Sequence, residues 1–274
     1  MPSPVTIEQI DIENDLKDIK TFRLKFEREE DSRRFNYKPG QFAELSLFGF
    51  GESPIGIASS PTEEGYLLFS IKKTGTVTSE LHNSEQGRKM GIRGPFGNSF
   101  PWDRMKGKNI VIVSGGFAFT TLRSAIIYMM DARNRGDYKN ITAVYGARSP
   151  GEFLYKKELK KWQQSEDIDL TLTIDRQAEE EWDGSVGLVP SVLKDVSPSA
   201  ENSIALVCGP PVMIHFTVPV LLELGFRKED IILSLENRMK CGIGKCGRCN
   251  IGHKYVCVDG PVFTFSELEK LQTE

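Results

Sequence analysis

Residues 236–260 read E-N-R-M-K-C-G-I-G-K-C-G-R-C-N-I-G-H-K-Y-V-C-V-D-G and hold four of the chain's five cysteines. Cys241, Cys246, Cys249 and Cys257 stand at a C-x4-C-x2-C-x7-C spacing. Three thiols in one tight loop with a fourth arriving later is the ligand arrangement of a plant-type [2Fe–2S] site. Gly242, Gly244 and Gly247 interleave with the ligands, which suits a loop that turns sharply and points backbone N–H groups at sulfur. Lys245 and Arg248 lie between the thiolates, where positive charge offsets that of an anionic cluster. Two other readings compete. A structural zinc site more often uses two C-x2-C pairs, and only one is present here. A disulfide set belongs to exported chains, and the N-terminus M-P-S-P-V-T-I-E-Q-I has neither the basic nor the apolar region of a secretory signal. The spacing favours the cluster.

With 274 residues the chain has room for two compact domains and a short appendage. A net charge of −3 gives no electrostatic case for nucleic acid. No window approaches the ~18 uninterrupted apolar residues of a membrane span. Free thiols without a signal point to the reducing cytoplasm.

From Val5 to about Phe100 short strands alternate with turn signals. Phe22, Leu24 and Phe26 alternate with polar neighbours, and Leu67, Phe69 and Ile71 repeat the period of two. Pro39-Gly40 leads into Q-F-A-E-L-S-L-F, and K-M-G-I-R-G-P-F-G-N closes the series. About six strands with one helix over 78–84 predict a small antiparallel barrel. By itself such a barrel is a binding or structural module. Three places in it suit ligand contact. They are the small, hydroxylated strand end 53–60, the helix start Gly75-Thr76-Val77-Thr78 with its free N–H groups, and the rigid turn 94–98 carrying Phe96.

From Lys108 the pattern changes. Apolar strands at 110–113, 141–145, 170–174, 204–207 and 231–235 alternate with helical stretches at 120–134, 152–164, 189–196 and 211–224. Five strands in this alternation predict a parallel, doubly wound sheet, whose ligands lie outside the carboxyl ends of its strands. Those ends are small and polar: Gly115-Gly116, Gly146-Ala147-Arg148-Ser149, Asp175 and Cys208-Gly209-Pro210-Pro211. The glycine loop G-G-F-A-F-T is not the G-x-G-x-x-G fingerprint, and no acidic residue follows at the usual distance for a ribose. Pro219, inside the helical run, predicts a bend or a late helix start.

The order of these pieces resembles the ferredoxin–NADP reductase superfamily across nearly the whole chain. Within it the resemblance is closest to electron-transfer subunits: the gamma subunit of cytosolic NAD(P)-linked hydrogenases and the corresponding subunits of anaerobic sulfite reductase and dihydroorotate dehydrogenase. The matching segments are P-G-Q-F (39–42), S-P-I-G-I-A-S-S (53–60), G-T-V-T (75–78), R-G-P-F-G (93–97), G-G-F-A-F-T-T-L-R-S (115–124), Y-G-A-R (145–148), C-G-P-P-V-M (208–213) and the cysteine segment.

The resemblance implies an FAD-binding barrel over 1–104, an NAD(P)-binding parallel domain over 105–235 and a [2Fe–2S] segment over 236–274. Ser53, Pro54, Ile55, Gly56 and Ile57 would line the flavin, and Gly75, Thr76, Val77 and Thr78 would hold its pyrophosphate. Gly115, Gly116, Tyr145, Arg148, Gly209 and Pro210 would bind NAD(H) or NADP(H), with Cys208 beside the hydride-transfer position. Cys208 also fits a small buried residue ending a strand. The chain departs from the family where Ser53 replaces the flavin-phosphate arginine and Gly56 replaces a serine. Ala118, Thr120 and Thr121 alter the last positions of the glycine loop, Ala118 adding a Cβ where a dinucleotide would approach.

A nicotinamide delivers electrons in pairs and an iron–sulfur cluster takes them singly, so a flavin between the two joins them. The resemblance thus implies a flavoprotein subunit that exchanges electrons between NAD(P)H and other redox subunits. Three alternatives stay open. They are a flavin and iron–sulfur relay without nucleotide binding, a zinc-stapled non-enzymatic subunit, and a self-sufficient reductase of a soluble acceptor.

Overall fold

The computed structural model describes residues 1–177 and 182–273. Two compact units emerge. The first comprises Met1–Phe100, Arg123–Tyr128 and Leu235–Val262, and the second comprises Pro101–Leu122, Met129–Ser234 and the chain from Phe263.

The first unit carries β1 (Ser3–Ile12), β2 (Ile19–Phe26), α1 (Glu29–Arg34), β3 (Phe42–Leu47), β4 (Gly51–Gly56), β5 (Leu67–Lys72), α2 (Thr76–His82) and β6 (Lys89–Phe96). Its six strands form one antiparallel sheet in the order β4-β3-β6-β1-β2-β5. Period-two alternation turns one face inward, so Val5, Ile7, Phe22, Leu24, Leu45, Phe69, Ile71 and Ile92 meet in one core. Each such side chain contributes roughly 1.5–3 kcal/mol by leaving water. The outer strands come together just past β4, where the Ala58 N–H donates to the Leu68 carbonyl at 2.9 Å. That curl is the barrel-like closure the short strands predict.

The second unit carries α3 (Trp102–Met105), β7 (Asn109–Gly115), the two ends of α4 (Phe119–Met130), whose middle belongs to the first unit, β8 (Ile141–Ala147), α5 (Lys156–Trp162), β9 (Asp169–Ile174), β10 (Ser185–Val186), α6 (Val189–Val196), β11 (Ser203–Cys208), α7 (Pro211–Glu223) and β12 (Ile231–Ser234). The five predicted strands lie side by side as β9-β8-β7-β11-β12 and pair in parallel. Two short strands extend the sheet, β10 beside β9 and β15 (Val262–Thr264) beside β12. The chain steps outward from β7 to β9, then returns to place β11 on the other side of β7. The direction therefore reverses between Gly115 and Cys208, the crevice where such sheets bind ligands.

Pro219 does not delay α7, which runs from Pro211 through it to Glu223. Its missing N–H leaves one backbone bond of the helix unmade. The remaining chain forms a two-stranded hairpin of β13 (Asn250–Ile251) and β14 (Lys254–Tyr255), then α8 (Val256–Asp259) and α9 (Phe265–Thr273). Among the described residues no helix is long and apolar enough to cross a membrane.

Candidate cofactor and metal sites

The cysteine loop belongs to the same compact unit as the antiparallel sheet. Its start rests on that sheet at Gly242, where a Cβ would lie 3.1 Å from both the Glu44 carboxylate and the Phe96 ring. With φ at +69°, only glycine meets that close approach and that backbone conformation without strain. Phe96 is half-buried against Phe42, with centroids 5.8 Å apart. The far end of the segment is stapled by Asn98. Its side-chain amide donates to the Asp259 and Val262 carbonyls at 3.0 and 2.7 Å, and its Oδ1 accepts the Val262 N–H at 2.9 Å.

Between these anchors the four thiols pair two by two. The Cys246 thiol acts most directly on Cys241 and the Cys249 thiol on Cys257, with Cys241 adding a smaller influence on Cys257. Cys249 and Cys257 are buried at 1% and 2% exposure, Cys241 is half-buried and Cys246 is exposed. Burial pushes the Cys241 thiol up, but backbone N–H groups of Ile243, Lys245 and Cys246 outweigh it and bring the group down to about 7. The Cys246 N–H lies 3.4 Å from that sulfur. Burial and the neighbouring Cys249 push Cys257 up to about 12, against the Gly244 N–H donated at 3.2 Å. A mononuclear zinc site needs its ligands converging on one ion. Two thiol pairs with amides aimed at sulfur fit a binuclear cluster, in which each iron takes two protein ligands.

The predicted flavin residues fall in one region of the sheet. Ser53, Pro54, Ile55 and Gly56 form the half-exposed end of β4 opposite β3. Ile57 differs, being 1% exposed and packed in the core, so only its backbone faces outward chemistry. Gly75 precedes α2 with open space around the position of a Cβ. The Thr78 hydroxyl accepts the Thr74 and Gly75 N–H groups at 3.0 and 2.8 Å, which shapes the loop. The N–H groups of Thr76, Val77 and Thr78 have no intrahelical acceptor, as at any helix start. Open space with aligned donors fits a phosphate group. A cavity of about 250 Å³ lies elsewhere in this unit, lined by Phe26, Phe35, Tyr37, Glu63 and Tyr66 among others, and borders none of these residues.

A network the sequence did not reveal fixes the loop that follows β4. Arg123, 2% exposed, donates to the Ala58 carbonyl at 2.7 Å and to both Glu63 oxygens at 3.0 and 3.1 Å. Ser124 donates to the Ser59 carbonyl at 2.6 Å, and the Ser59 hydroxyl accepts Tyr37 Oη–H and the Leu68 N–H at 3.0 Å each. Burial pushes Glu63 up, yet the Arg123 guanidinium overcomes it and holds the carboxyl below its ordinary value.

In the second unit the predicted nucleotide residues divide. Gly116 sits at φ +57° with nothing near its would-be Cβ, an open backbone that suits close approach by a ligand. Gly115 and Gly209 instead make room for Met213, whose sulfur lies 2.6 and 2.7 Å from where their Cβ atoms would stand. Tyr145 is fully buried, stacked on Phe119 at 3.9 Å, and its hydroxyl donates to the Gly116 carbonyl at 3.2 Å. It supports the glycine loop from below. Arg148 and Pro210 are exposed at strand ends. Cys208 ends β11 opposite Ser114, with its thiol 3.5 Å from the Ser234 carbonyl and only 8% exposed. Ala118 lies half-buried in the short 3-10 turn between β7 and α4.

Two segments of the chain match known families. The family described as oxidoreductase NAD-binding domain matches residues 112–218, and the iron-sulfur cluster binding domain of dihydroorotate dehydrogenase B matches residues 236–269. The gamma subunit of sulfhydrogenase 1 from Pyrococcus furiosus is 38% identical over 256 residues, covering 91% of this chain and 86% of that protein. A probable dihydroorotate dehydrogenase B (NAD(+)) electron transfer subunit from Thermococcus kodakarensis is 32% identical over 268 residues, covering 97% of each. Among solved structures, a chain of the NADH-dependent reduced ferredoxin–NADP oxidoreductase superposes with a TM-score of 0.75 at 26% identity, over 98% of this chain and 92% of that one. A ferredoxin NADP+ reductase from Neisseria gonorrhoeae, solved with FAD and NADP, shares the fold with a TM-score of 0.66 at 18% identity, over 84% of this chain and 97% of that one.

Proposed function

The chain belongs to the ferredoxin–NADP reductase superfamily, among the sulfhydrogenase gamma and dihydroorotate dehydrogenase electron-transfer subunits, and from that premise we propose that it passes electrons between NAD(P)H and a partner redox subunit in the cytoplasm. The observation that carries this reading is the paired arrangement of Cys241/Cys246 and Cys249/Cys257 on a loop that packs against the antiparallel sheet. FAD bound to that sheet would supply the step between a two-electron donor and a one-electron carrier.

The chain's own residues bind, orient and exclude water. Backbone groups of Ser53 to Gly56 and the N–H groups at the start of α2 would hold the flavin through contacts that do not depend on side chains, consistent with the loss of the usual arginine at Ser53. Arg123 and Glu63 fix the loop that follows. Gly116 would admit the dinucleotide backbone, with Arg148 at its phosphate or ribose and Cys208 near the nicotinamide. The hydride step itself needs no side-chain acid or base, since a hydride carries its proton together with its electron pair, and the proton left when the electrons go on singly would pass to solvent.

Purification under anaerobic conditions followed by visible absorption, iron and flavin analysis tests the cofactors, and titration with NADH and NADPH tests the donor. The expected result is a brown flavoprotein bleached by at least one nucleotide. A colourless, zinc-containing protein sinks the redox reading. A second reading, a relay without a nucleotide site, is favoured by Ala118 in the glycine loop and by Met213 filling the space beside Gly115 and Gly209. Bleaching by dithionite but by neither nucleotide would select it.

A further inference from the structure

The turn between β3 and β4 reads L-F-G-F-G over 47–51, and its two phenylalanines take no part in building it. The backbone turns at Gly49 and Gly51, with φ at +83° and +103°, and the Phe50 N–H donates to the Leu47 carbonyl at 3.0 Å. Turn chemistry favours small and polar residues at such a tip. Phe48 instead stands wholly in solvent at 103% exposure, and Phe50 is 43% exposed. Single exposed apolar side chains are ordinary on a protein surface. Two aromatic rings on one three-residue tip form a patch that gains by being covered.

What covers them follows from where the tip lies. Strand alternation puts Gly51, Ser53 and Ile55 on one face of β4 and turns Glu52 to the other, where it pairs with Arg93. The first of these faces α2: a Cβ on Gly51 would lie 3.9 Å from Val77. The positions assigned above to FAD therefore run in one direction along the strand. The flavin ring belongs at Ile55 and Gly56, and the phosphates at Ser53 and the segment from Gly75 to Thr78. Beyond Gly51 the chain continues as Phe50, Gly49 and Phe48. FAD carries its phosphates between its two ring systems, so this order leads its second ring, the adenine, to the tip. Nothing lies within 4 Å of a Cβ built on Gly49, which leaves the flank between the two phenylalanines open to a flat ring.

We propose that Phe48 and Phe50 are the stacking platform for the adenine of FAD, and that they set the preference for FAD over FMN. This rests on the functional reading above. Stacking of a base on an aromatic side chain strengthens binding by about ten- to a hundredfold. FMN ends at its phosphate and never reaches the tip.

The test equilibrates the purified full-length protein with equal excesses of FAD and FMN, then releases the bound flavins and separates them by chromatography. Contacts to the flavin ring and the first phosphate are common to both ligands and cancel in the bound ratio, which therefore reads the adenine contact. In the Phe48→Ser/Phe50→Ser variant the FAD:FMN ratio should fall about tenfold or more while the Kd for FMN, followed by flavin fluorescence, stays level. Phe48→Tyr/Phe50→Tyr, which keeps both π faces, should hold the ratio. An unaltered ratio in the serine variant overturns the proposal, and so does an equal loss of both flavins, since the tip would then act only through β4. Should the serine variant fail to fold, Phe48→Leu/Phe50→Leu, which keeps an apolar tip without the rings, decides by the same ratio. An unmodified protein that binds neither flavin overturns the functional reading, and this proposal with it.

Discussion

Arg93 stands directly opposite Glu44 across the β3–β6 ladder, yet it gives its guanidinium to Glu52, with Nε and one Nη donating at 2.9 and 2.5 Å. Glu44 is left fully buried with neither oxygen hydrogen-bonded. Burial first, then the charge of Glu52, pushes its carboxyl up to about 7, against the pull of Arg93.

The sign of the pH effect follows. The folded-state value lies above the 4.5 of the unfolded chain, so the protonated form is the one the fold favours. Its contribution is complete below about pH 4.5 and is lost as pH rises through about 7. Glu44→Gln should therefore leave stability near that of the unmodified protein at pH 5 and raise it by about 2–3 kcal/mol at pH 8. Urea unfolding at the two pH values measures this, and equal differences at both would refute it. An anionic cluster beside Gly242 acts in the same direction.

Arg123 is buried with its carboxylate partner, and breaking such a pair leaves an uncompensated charge. Arg123→Met should cost about 3–5 kcal/mol, and Arg123→Met/Glu63→Gln should recover part of that loss. A double-mutant cycle by denaturant unfolding reads the coupling. Flavin content should fall in the single variant if the proposed flavin site at β4 is right, because the carbonyl of Ala58, just past that strand, loses its donor.

The two glycines at the end of β7, Gly115 and Gly116, should behave differently. Gly115→Ala drives a methyl into Met213, so it should lower the melting temperature, and adding Met213→Ala should restore it. Gly116→Ala meets no neighbour, costs about 1 kcal/mol for its left-handed backbone, and places a methyl where a dinucleotide would approach. Its main effect should be a raised Kd for NADH or NADPH, measured by flavin bleaching.

Each cysteine-to-alanine change should remove the cluster signal from the electron paramagnetic resonance spectrum. The metal-free proteins should then separate by burial. Cys246→Ala should leave thermal unfolding unchanged, while Cys249→Ala, made in a fully packed position, should cost about 1 kcal/mol. Calorimetry of the apo proteins distinguishes them.

Legibility from the sequence followed the strength of local pattern. The runs I-V-I-V and I-A-L-V announce β7 and β11 because strands buried on both faces must be continuously apolar. The helix over 189–196 carries Pro190 in its first turn, where the missing N–H has no helical acceptor to lose. By contrast α1, E-E-D-S-R-R, has no buried residue and so no apolar period. It is held by Glu29–Arg33 and Glu30–Arg34 pairs and by acids at its start. The strands β10 and β15 are too short to show any period. Glu44 and Arg123 were unreadable for another reason. Glu44 occupies a position that strand alternation assigns to solvent, and a segment some two hundred residues later covers it. Arg123 looks like an ordinary helical arginine until its partner, sixty residues away, is brought beside it.

The stapling of residues 259–262 by Asn98, with Gly242 seated on the sheet at the other end, bears on how the protein matures. A segment tethered at both ends has little closure entropy left to lose when its thiols gather around iron. Cluster assembly therefore has less chain entropy to overcome than the same thiols on an untethered segment would face.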